Sequence, residues 1–452
     1  MFRDFSRISK DYYIFTRERR YMIELPPKCD FKPEIFKWME NKNIVPLLRE
    51  MNNNYYYWEK IKYYKTSENL SAEELWNVVK LSRKLNYSKQ SFGKYTFNYF
   101  ITEHFFELLH YFDMNIGGMM SSADIVPEKD KTRYLISSLM EEAISSSKME
   151  GANTTRKKAK ELLRKKMAPQ DRSEQMILNT YHTIEYVAQN KDDDLTPENL
   201  LYIHKLITSE TLDNKEEEGN FRKNNDVCVF DHSKWETVHT PPDIKEIPEL
   251  INELCRFFNS DEQFIHPVIK GIIIHFMIAW MHPFSDGNGR TARSLFYWYM
   301  LKKGYWLTQY LSISTIIGKT KKQYEYAYLY TEKDENDLNY FILYNLNSMK
   351  KAFEELKKYI ERKQKESKLT AQFVKKQGVN ERQAYLLKKI HEEPDIVFTV
   401  KEIERRFSIS NFTARTDLKG LVKMGYLEAV PINKTKKNYI KSKNFDQLLK
   451  SS

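Results

Sequence analysis

Residues 264–300 read FIHPVIKGIIIHFMIAWMHPFSDGNGRTARSLFYWYM, and this stretch determines the fold of the middle of the chain. Residues 264–281 are apolar almost all the way round, which predicts a helix in the centre of a domain. Residues 294–300 predict a second apolar helix. The segment between the two is polar and contains two glycines. The sequence therefore predicts a polar glycine loop between two buried helices.

The loop at residues 282–293 has the composition of an anion-binding site. Gly287 and Gly289 let the backbone take a positive φ and approach a ligand closely. A helix that starts near Gly289 offers free N–H groups and the positive end of its dipole, which suits phosphate. Arg290 and Arg293 are three residues apart, so we expect both on one helix face, where their forked donors can grip phosphate oxygens.

Two further side chains of the loop could supply chemistry. Asp286 is a hard carboxylate close to the predicted phosphate site, which suits Mg²⁺. His282 carries an imidazole whose unperturbed pKa is about 6.5, so at neutral pH it can accept a proton from an attacking hydroxyl. A capping histidine next to an ordinary turn would explain any two of these residues. It does not explain all of them within one short segment.

The segment 282–293 resembles the signature His-Pro-Phe-x-Asp-Gly-Asn-Gly-Arg-x-x-Arg of the Fic family of nucleotidyl transferases at every defining position. The resemblance implies that His282 is the general base, that Asp286 binds Mg²⁺ and that Phe284 is a buried anchor of the loop. It also implies ATP as the substrate. The residues that it implies for phosphate binding are Gly287, Asn288, Gly289, Arg290 and Arg293.

The function implied by this resemblance is protein adenylylation. A Tyr, Thr or Ser hydroxyl of a target protein, or of the chain itself, would attack the α-phosphorus of ATP and expel pyrophosphate. One alternative is a nucleotide-responsive DNA-binding regulator, and another is a bifunctional enzyme that also removes AMP. A third keeps the fold but transfers UMP, phosphate or phosphocholine. Arg290 and Arg293 favour a triphosphate donor.

Residues 219–242 interrupt the helical pattern and predict a short β-hairpin ended by prolines. The hairpin resembles the flap of the Fic family, which pairs with a target segment by strand addition. A surface hairpin without function is the alternative. In the family, tyrosines lie beside the adenine of the nucleotide, and the resemblance places them near Tyr324 in this sequence. The flap residues expected nearest the nucleotide are Glu236, Thr237, Val238 and His239.

Residues 144–151 end a helical run that begins near Thr132. Ser146 and Glu150, followed by Gly151, match the inhibitory motif of the class of Fic proteins that carries this helix N-terminally. The resemblance implies that Glu150 pairs with Arg293 and takes the contact that the γ-phosphate needs. ATP would then bind with its α-phosphorus wrongly aligned for attack.

The C-terminal residues predict a helix-turn-helix at 400–427, followed by two strands around a basic tip at 427–440. This order resembles a winged-helix domain. We expect either DNA binding or a protein contact, the latter serving target docking or homodimer formation. The candidate nucleic-acid contacts are Arg415, Lys419, Lys434, Lys436 and Lys437.

With 452 residues, the chain is long enough for two or three domains. We expect a mainly α fold made of a Fic helical bundle with a small β-hairpin flap, preceded by a helical region and followed by a winged helix. Ser71 with Glu74 predicts a capping box within the first region. The expected domains are 1–125 (N-terminal helical region), 126–355 (Fic catalytic domain with inhibitory helix), 356–381 (helical linker) and 382–452 (winged helix-turn-helix).

Composition narrows the class of protein. With 41% hydrophobic and 30% charged residues, the chain is globular, not disordered. It contains no predicted signal peptide or membrane span, so we expect a cytoplasmic location and no membrane partner. The three cysteines are far apart and predict neither a zinc site nor a disulfide framework. The net charge of +11 fits a polyanion partner or a solvated lysine-rich surface.

Overall fold

Helices form most of the described chain, and the sheets within it are short antiparallel hairpins. The computed structural model describes residues 23–117, 126, 131–231, 236–374, 378–432 and 436–450. The chain divides into two units, Met1–Glu354 and Glu355–Ser452. None of the described helices has both the length and the apolar character that a membrane-spanning helix needs.

The N-terminal region is helical, as predicted, but it also contains a β-hairpin that the sequence pattern did not predict. Ser71 and Glu74 form the predicted capping box in front of the fourth helix. Phe97, in the hairpin, packs edge-on against Phe276 and Trp280 of a central helix. The elements are α1 (Phe36–Met39), α2 (Val45–Asn53), α3 (Trp58–Ile61), α4 (Ala72–Lys84), β1 (Ser88–Phe92), β2 (Tyr95–Tyr99) and α5 (Glu103–Asn115).

The centre of the first unit is a bundle around two buried helices. Nearly every residue of the helix Pro267–Met281 is buried, which confirms the prediction from its apolar surface. The elements from 131 to 302 are α6 (Lys131–Met149), α7 (Arg156–Lys165), α8 (Arg172–Gln189), α9 (Pro197–Thr208), β3 (Val229–Asp231), β4 (Glu236–His239), α10 (Ile247–Asn259), α11 (Pro267–Met281) and α12 (Asn288–Lys302).

Three helices follow α12. They are α13 (Ile313–Lys319), α14 (Lys321–Lys333) and α15 (Asn339–Val374). Helix α6 packs against α8 and α13, while α12 packs against α11, α8 and α9. Strands β3 and β4 pair antiparallel with a register shift at Val229/Phe230, so the predicted hairpin is present. The loop between α11 and α12 therefore lies among packed helices that can hold it in one position.

The second unit has its own buried core, and its elements from residue 381 onward are three helices, a hairpin and a last short helix. Ser408 takes a left-handed conformation between the second and third helices, and Ser410 caps the third. Phe398 forms an isolated bridge with Tyr439 of the hairpin. The elements are α16 (Glu381–Glu392), α17 (Val400–Phe407), α18 (Asn411–Lys423), β5 (Leu427–Pro431), β6 (Lys437–Lys441) and α19 (Phe445–Lys450).

Candidate active site

The loop between α11 and α12 is closed by its own side chains. His282 ends α11 with a left-handed backbone (φ 45°), and Gly287 precedes α12 with φ 83°. The amide of Asn288 spans the loop: its Oδ1 accepts from the Phe284 N–H at 3.0 Å, and its Nδ2 donates to the Phe284 carbonyl at 2.8 Å. The side chain of Asn288 thus holds the loop closed, while its backbone N–H lies in the first turn of α12, where it can face a phosphate.

Gly289 plays a different part from the predicted one. Only Gly287 has the positive φ expected for both glycines, because Gly289 already lies within α12. A Cβ on Gly289 would collide with the carboxylate of Glu150. Glycine is therefore required here for the close approach of Glu150 and not for backbone conformation.

A histidine that the sequence analysis did not single out fixes the loop from α9. The buried ring of His204 stacks on Phe284, with 3.7 Å between ring centroids, so Phe284 is the predicted buried anchor. Nδ1 of His204 accepts from the Gly219 N–H at 3.1 Å. Nε2 of the same ring therefore carries the proton, and it donates to the Asp286 carbonyl at 2.9 Å. Burial lowers the pKa of His204 to about 4, and the ring is a neutral support at ordinary pH.

His282 has the hydrogen bonding of a proton acceptor. Its Nδ1–H donates to the Ala279 carbonyl at 3.1 Å, which leaves Nε2 as the nitrogen with a free lone pair. Burial, the largest cause, lowers the pKa of His282 below its usual range. Its own carbonyl accepts from Nε of Arg222 at 3.1 Å, which holds the end of α11. The imidazole is thus neutral and oriented.

The two arginines of the loop contact different helices. Arg293 is buried and donates to Ser146 Oγ at 2.8 Å, to the Ser146 carbonyl at 3.1 Å and to Glu150 Oε1 at 2.9 Å. Arg290 faces α9 and donates to the Ile207 carbonyl at 3.0 Å. Within the described residues, Nε and Nη2 of Arg290 are buried without a hydrogen-bond acceptor, although Nη2 lies 3.6 Å from Oδ1 of Asp286 as an ion pair. These two donors could serve an anion.

Asp286 is the carboxylate of the loop, and its side chain is 41% exposed. Its Oδ1 accepts from the Gly287 N–H at 2.5 Å, and Nη2 of Arg172 lies 3.5 Å from Oδ2. The described residues contain no group of three or more His, Cys, Asp and Glu side chains that could hold a metal ion. A cation here would share one carboxylate with substrate phosphates, a coordination that Mg²⁺ commonly adopts.

The flap hairpin is attached to the bundle by the last residue of β4. His239 Nε2 donates to the Trp280 carbonyl at 2.7 Å, and its Nδ1 lies 2.8 Å from Oε1 of Glu332 in α14. Thr237 is exposed and Val238 is half-buried in the same strand. Glu236 begins the strand, and its side chain lies outside the described residues. His239 is therefore an anchor of the flap.

Tyr324 lies on α14 among other aromatic rings. Its hydroxyl is 2.9 Å from Nε2 of His275 and 3.2 Å from the hydroxyl of Tyr328. Burial raises the pKa of Tyr324 to about 12, and the neighbouring guanidinium of Arg293 opposes this shift. The structure thus brings Tyr324 close to the arginine that binds Glu150.

The candidate nucleic-acid residues belong to the second unit. Arg415 and Lys419 are exposed on α18, and Lys436 and Lys437 are exposed at the start of β6. Lys434 lies outside the described residues. The structure therefore groups four of the five predicted residues in one unit, on a helix and the neighbouring hairpin.

Comparison with known proteins identifies the family of the segment that carries the loop. Residues 194–300 match the model of the Fic/DOC family. The chain is 31% identical over 154 residues to the protein adenylyltransferase Fic of Aedes aegypti, a match that covers 34% of this chain and 27% of the relative. It is 24% identical over 204 residues to that of Nematostella vectensis, covering 44% of each. The chain thus spans less than half of the length of either relative.

Among solved structures, a Fic family protein from Desulfovibrio desulfuricans is similar. It is 19% identical, with a TM-score of 0.49, and the match covers 74% of this chain and 96% of the other.

Proposed function

Because the chain contains a Fic domain at residues 194–300, we propose that it is a protein adenylyltransferase that transfers AMP from ATP to Tyr, Thr or Ser hydroxyls. The observation that carries the proposal is His282, neutral and oriented by Ala279, at the entrance of a loop that offers N–H donors at the start of α12. The names of the relatives, protein adenylyltransferase Fic, support the same reaction.

In the proposed reaction, Nε2 of His282 takes the proton of the target hydroxyl as its oxygen bonds to the α-phosphorus. The bond from the α-phosphorus to the bridging oxygen breaks, and pyrophosphate leaves with that electron pair. The backbone N–H groups at Gly289 and the guanidinium of Arg290, which has donors without a hydrogen-bond acceptor, would hold phosphate oxygens. Asp286 would hold Mg²⁺, which when bound neutralises part of the charge on the phosphates.

Glu150 would inhibit this reaction. Its carboxylate accepts a hydrogen bond from Nη2 of Arg293 at 2.9 Å. It also lies directly over Gly289, where a phosphate would approach α12. A γ-phosphate that needs Arg293 must displace Glu150 or bind elsewhere, which misaligns the α-phosphorus. Ser146 would hold Arg293 in the inhibited position from the same helix. Removal of AMP by water that Glu150 orients is the alternative role of this residue.

The β3–β4 hairpin would receive the target protein. An exposed strand edge can pair with an extended segment through main-chain hydrogen bonds, which accept varied side chains. The anchor at His239 fixes the strand relative to Trp280, two residues before His282. A target segment paired with β4 would therefore have a defined position relative to the base. Tyr324 would contribute to the adenine side of the nucleotide site.

The test of the proposal is labelling of protein by ATP that carries a marked α-phosphate. We expect His282→Ala to reduce labelling about a hundredfold or more, because a general base contributes at least that much. His182→Ala, which removes an exposed histidine of α8, should label like the wild type. Full labelling by the His282 variant would disprove the assignment.

A second candidate function concerns the C-terminal unit, which we propose is a winged helix that binds duplex DNA. The exposed surface of α18 carries Arg415, Lys419 and Lys423, while the helix's single carboxylate, Asp417, is buried and bound to Arg382. This helix therefore presents positive charge without an exposed acid of its own, which suits a phosphate backbone. A regulator that only binds DNA would give no role to His282.

Titration of duplex DNA onto the full chain at several salt concentrations tests this second candidate. We expect the affinity to fall steeply with salt, and Lys419→Ala to reduce the slope of log K against log salt by about one. Lys157→Ala, an exposed lysine of α7, serves as the control. Absence of salt-dependent binding would contradict DNA recognition, and a larger species in size-exclusion chromatography would then indicate a dimerising role.

A further inference from the structure

A basic cavity of about 300 Å³ lies beside the C-terminal end of α6, and Glu150, the residue after that helix, is not part of its lining. Helix α6 contributes Ser145 and Lys148, and α13 contributes Thr315 and Lys319. The starts of α7 and α14 add Arg156 and Lys321. The cavity thus joins the inhibitory helix to the helices that pack against it, and its volume lies at the lower end of the range of small-molecule sites.

The charge of the basic cavity has a single sign. Its lining includes four cationic side chains and no carboxylate. Two of these cations already have acidic partners: Arg156 binds Glu141, whose side chain is 20% exposed, at 2.7 Å, and Lys321 lies 3.9 Å from Glu325. The pair of Lys321 with Glu325 is long and exposed on both sides, so it contributes little free energy and a multiply charged anion can compete with it. The cavity is therefore suited to an anionic ligand.

Hydroxyl groups on the wall of the cavity already connect α6 to α13. Ser145 Oγ and Thr315 Oγ1 are 2.8 Å apart, and Thr315 Oγ1 is 2.7 Å from Ser312 Oγ. Ser312 is not part of the lining and donates to Oε2 of the buried Glu142 at 3.1 Å, so the hydroxyls that a ligand could bind together with the lysines are those of Ser145 and Thr315. Phosphate oxygens suit both kinds of donor, because they accept charge-assisted hydrogen bonds from ammonium groups and ordinary ones from hydroxyls.

We propose that the basic cavity binds a small molecule carrying one or more phosphate groups, and that this ligand strengthens inhibition by Glu150. Lys148 is two residues before Glu150, and Lys319 and Lys321 belong to the neighbouring helices. A phosphate bound between Lys148 and these two lysines would join the end of α6 to α13 and α14 through charge-assisted hydrogen bonds. Since it binds the closed arrangement better, it shifts the population towards that arrangement.

Binding is tested first, with inorganic phosphate as the probe and the full chain in a calorimeter. We expect the double variant Lys148→Ala/Lys321→Ala to bind phosphate at least about tenfold more weakly than the wild type, because two charge-assisted contacts are lost. The control Lys157→Ala/Lys322→Ala removes the same charge from exposed positions outside the cavity. Equal binding by the double variant, equal loss in the control, or no binding by the wild type would overturn the proposal.

The regulatory part rests on the proposed transferase activity and has its own test. Phosphate should inhibit AMP transfer by the wild type more strongly than transfer by Glu150→Gly, and Lys148→Ala/Lys321→Ala should remove that difference. Equal inhibition of all three would indicate competition at the α12 loop and overturn the regulatory role. If no variant transferred AMP, the proposed function would fail, while the calorimetric result would still decide whether the cavity binds phosphate.

Discussion

Arg293 is the residue on which the proposed inhibition by Glu150 depends. Its buried guanidinium donates to both the hydroxyl and the carbonyl of Ser146, and it shares a third contact with the carboxylate of Glu150. Loss of Glu150 would therefore leave Arg293 with acceptors and in position. Its third contact would become available to a nucleotide phosphate. Arg293 can thus change partners without remaining an unpaired buried charge, which would be costly.

We expect Glu150→Gly to raise the rate of AMP transfer at least about tenfold, the factor that corresponds to one charge-assisted contact. Glu150→Gln, which keeps a hydrogen-bond acceptor but loses the charge, should be intermediate. The measurement is mass-spectrometric detection of AMP attached to the chain or a target after incubation with ATP and Mg²⁺. A Gly variant no faster than the wild type would contradict inhibition, and release of AMP from modified protein would then be measured.

Many individual residues of the site were predictable because they are adjacent in sequence. The residues from His282 to Arg293 form one segment, and the pairing of Glu150 with Arg293 followed from a recognisable motif. His204 was not predictable: it lies 82 residues from Asp286, whose carbonyl it binds, and on α9 it occupies an apolar helix face. Such a histidine looks like an ordinary core residue until the fold brings it to the loop.

At the scale of elements, the contact between His239 and Glu332 joins the β3–β4 hairpin, the proposed flap, to α14. We expect Glu332→Ala to raise the KM for a target protein about tenfold with a smaller change in kcat, because β4 loses a hydrogen bond to a charged partner while His282 is untouched. Glu332→Gln should keep the KM close to that of the wild type. Glu249→Ala, on the surface of α10, should leave the KM unchanged. An unchanged KM would show that the flap position does not depend on this contact.

The β1–β2 hairpin shows the limit of prediction from sequence at this scale. Only Phe92, Phe97 and Tyr99 of its two strands are buried, so the alternation of polar and apolar residues is too short to distinguish it from a helix end. The packing of Phe97 on Phe276 and Trp280 stabilises it, and this contact joins segments far apart in the chain. By contrast, α11 was predictable because it is apolar on all sides.

At the scale of the whole molecule, buried histidines make stability depend on pH. Burial lowers the pKa of His204 to about 4 and that of His275 to about 3. At a pH between these lowered pKa values and the ordinary histidine pKa of about 6.5, the unfolded chain binds more protons than the folded one. Their contribution to stability is therefore complete above pH 6.5 and is lost as the pH falls towards 4.

We expect the free energy of unfolding of the first unit to fall on acidification from about pH 6.5 to 4, and His204→Gln to reduce that fall by at most ~3 kcal/mol. Urea unfolding followed by tryptophan fluorescence reports this unit alone, because all seven tryptophans lie before residue 354. His182→Gln, at an exposed position, should keep the wild-type slope. The same slope in both variants would exclude His204 as a cause.

Gly289 has a consequence for how the chain can change by mutation. Any side chain there would meet the carboxylate of Glu150. Under the proposed function it would also fill the space through which a phosphate reaches the start of α12. A single substitution at this codon would thus disturb the inhibitory contact and damage catalysis together. Spontaneous alleles with unrestrained activity would then arise on the α6 side, at Ser146 or Glu150, while codon 289 would yield only loss of function.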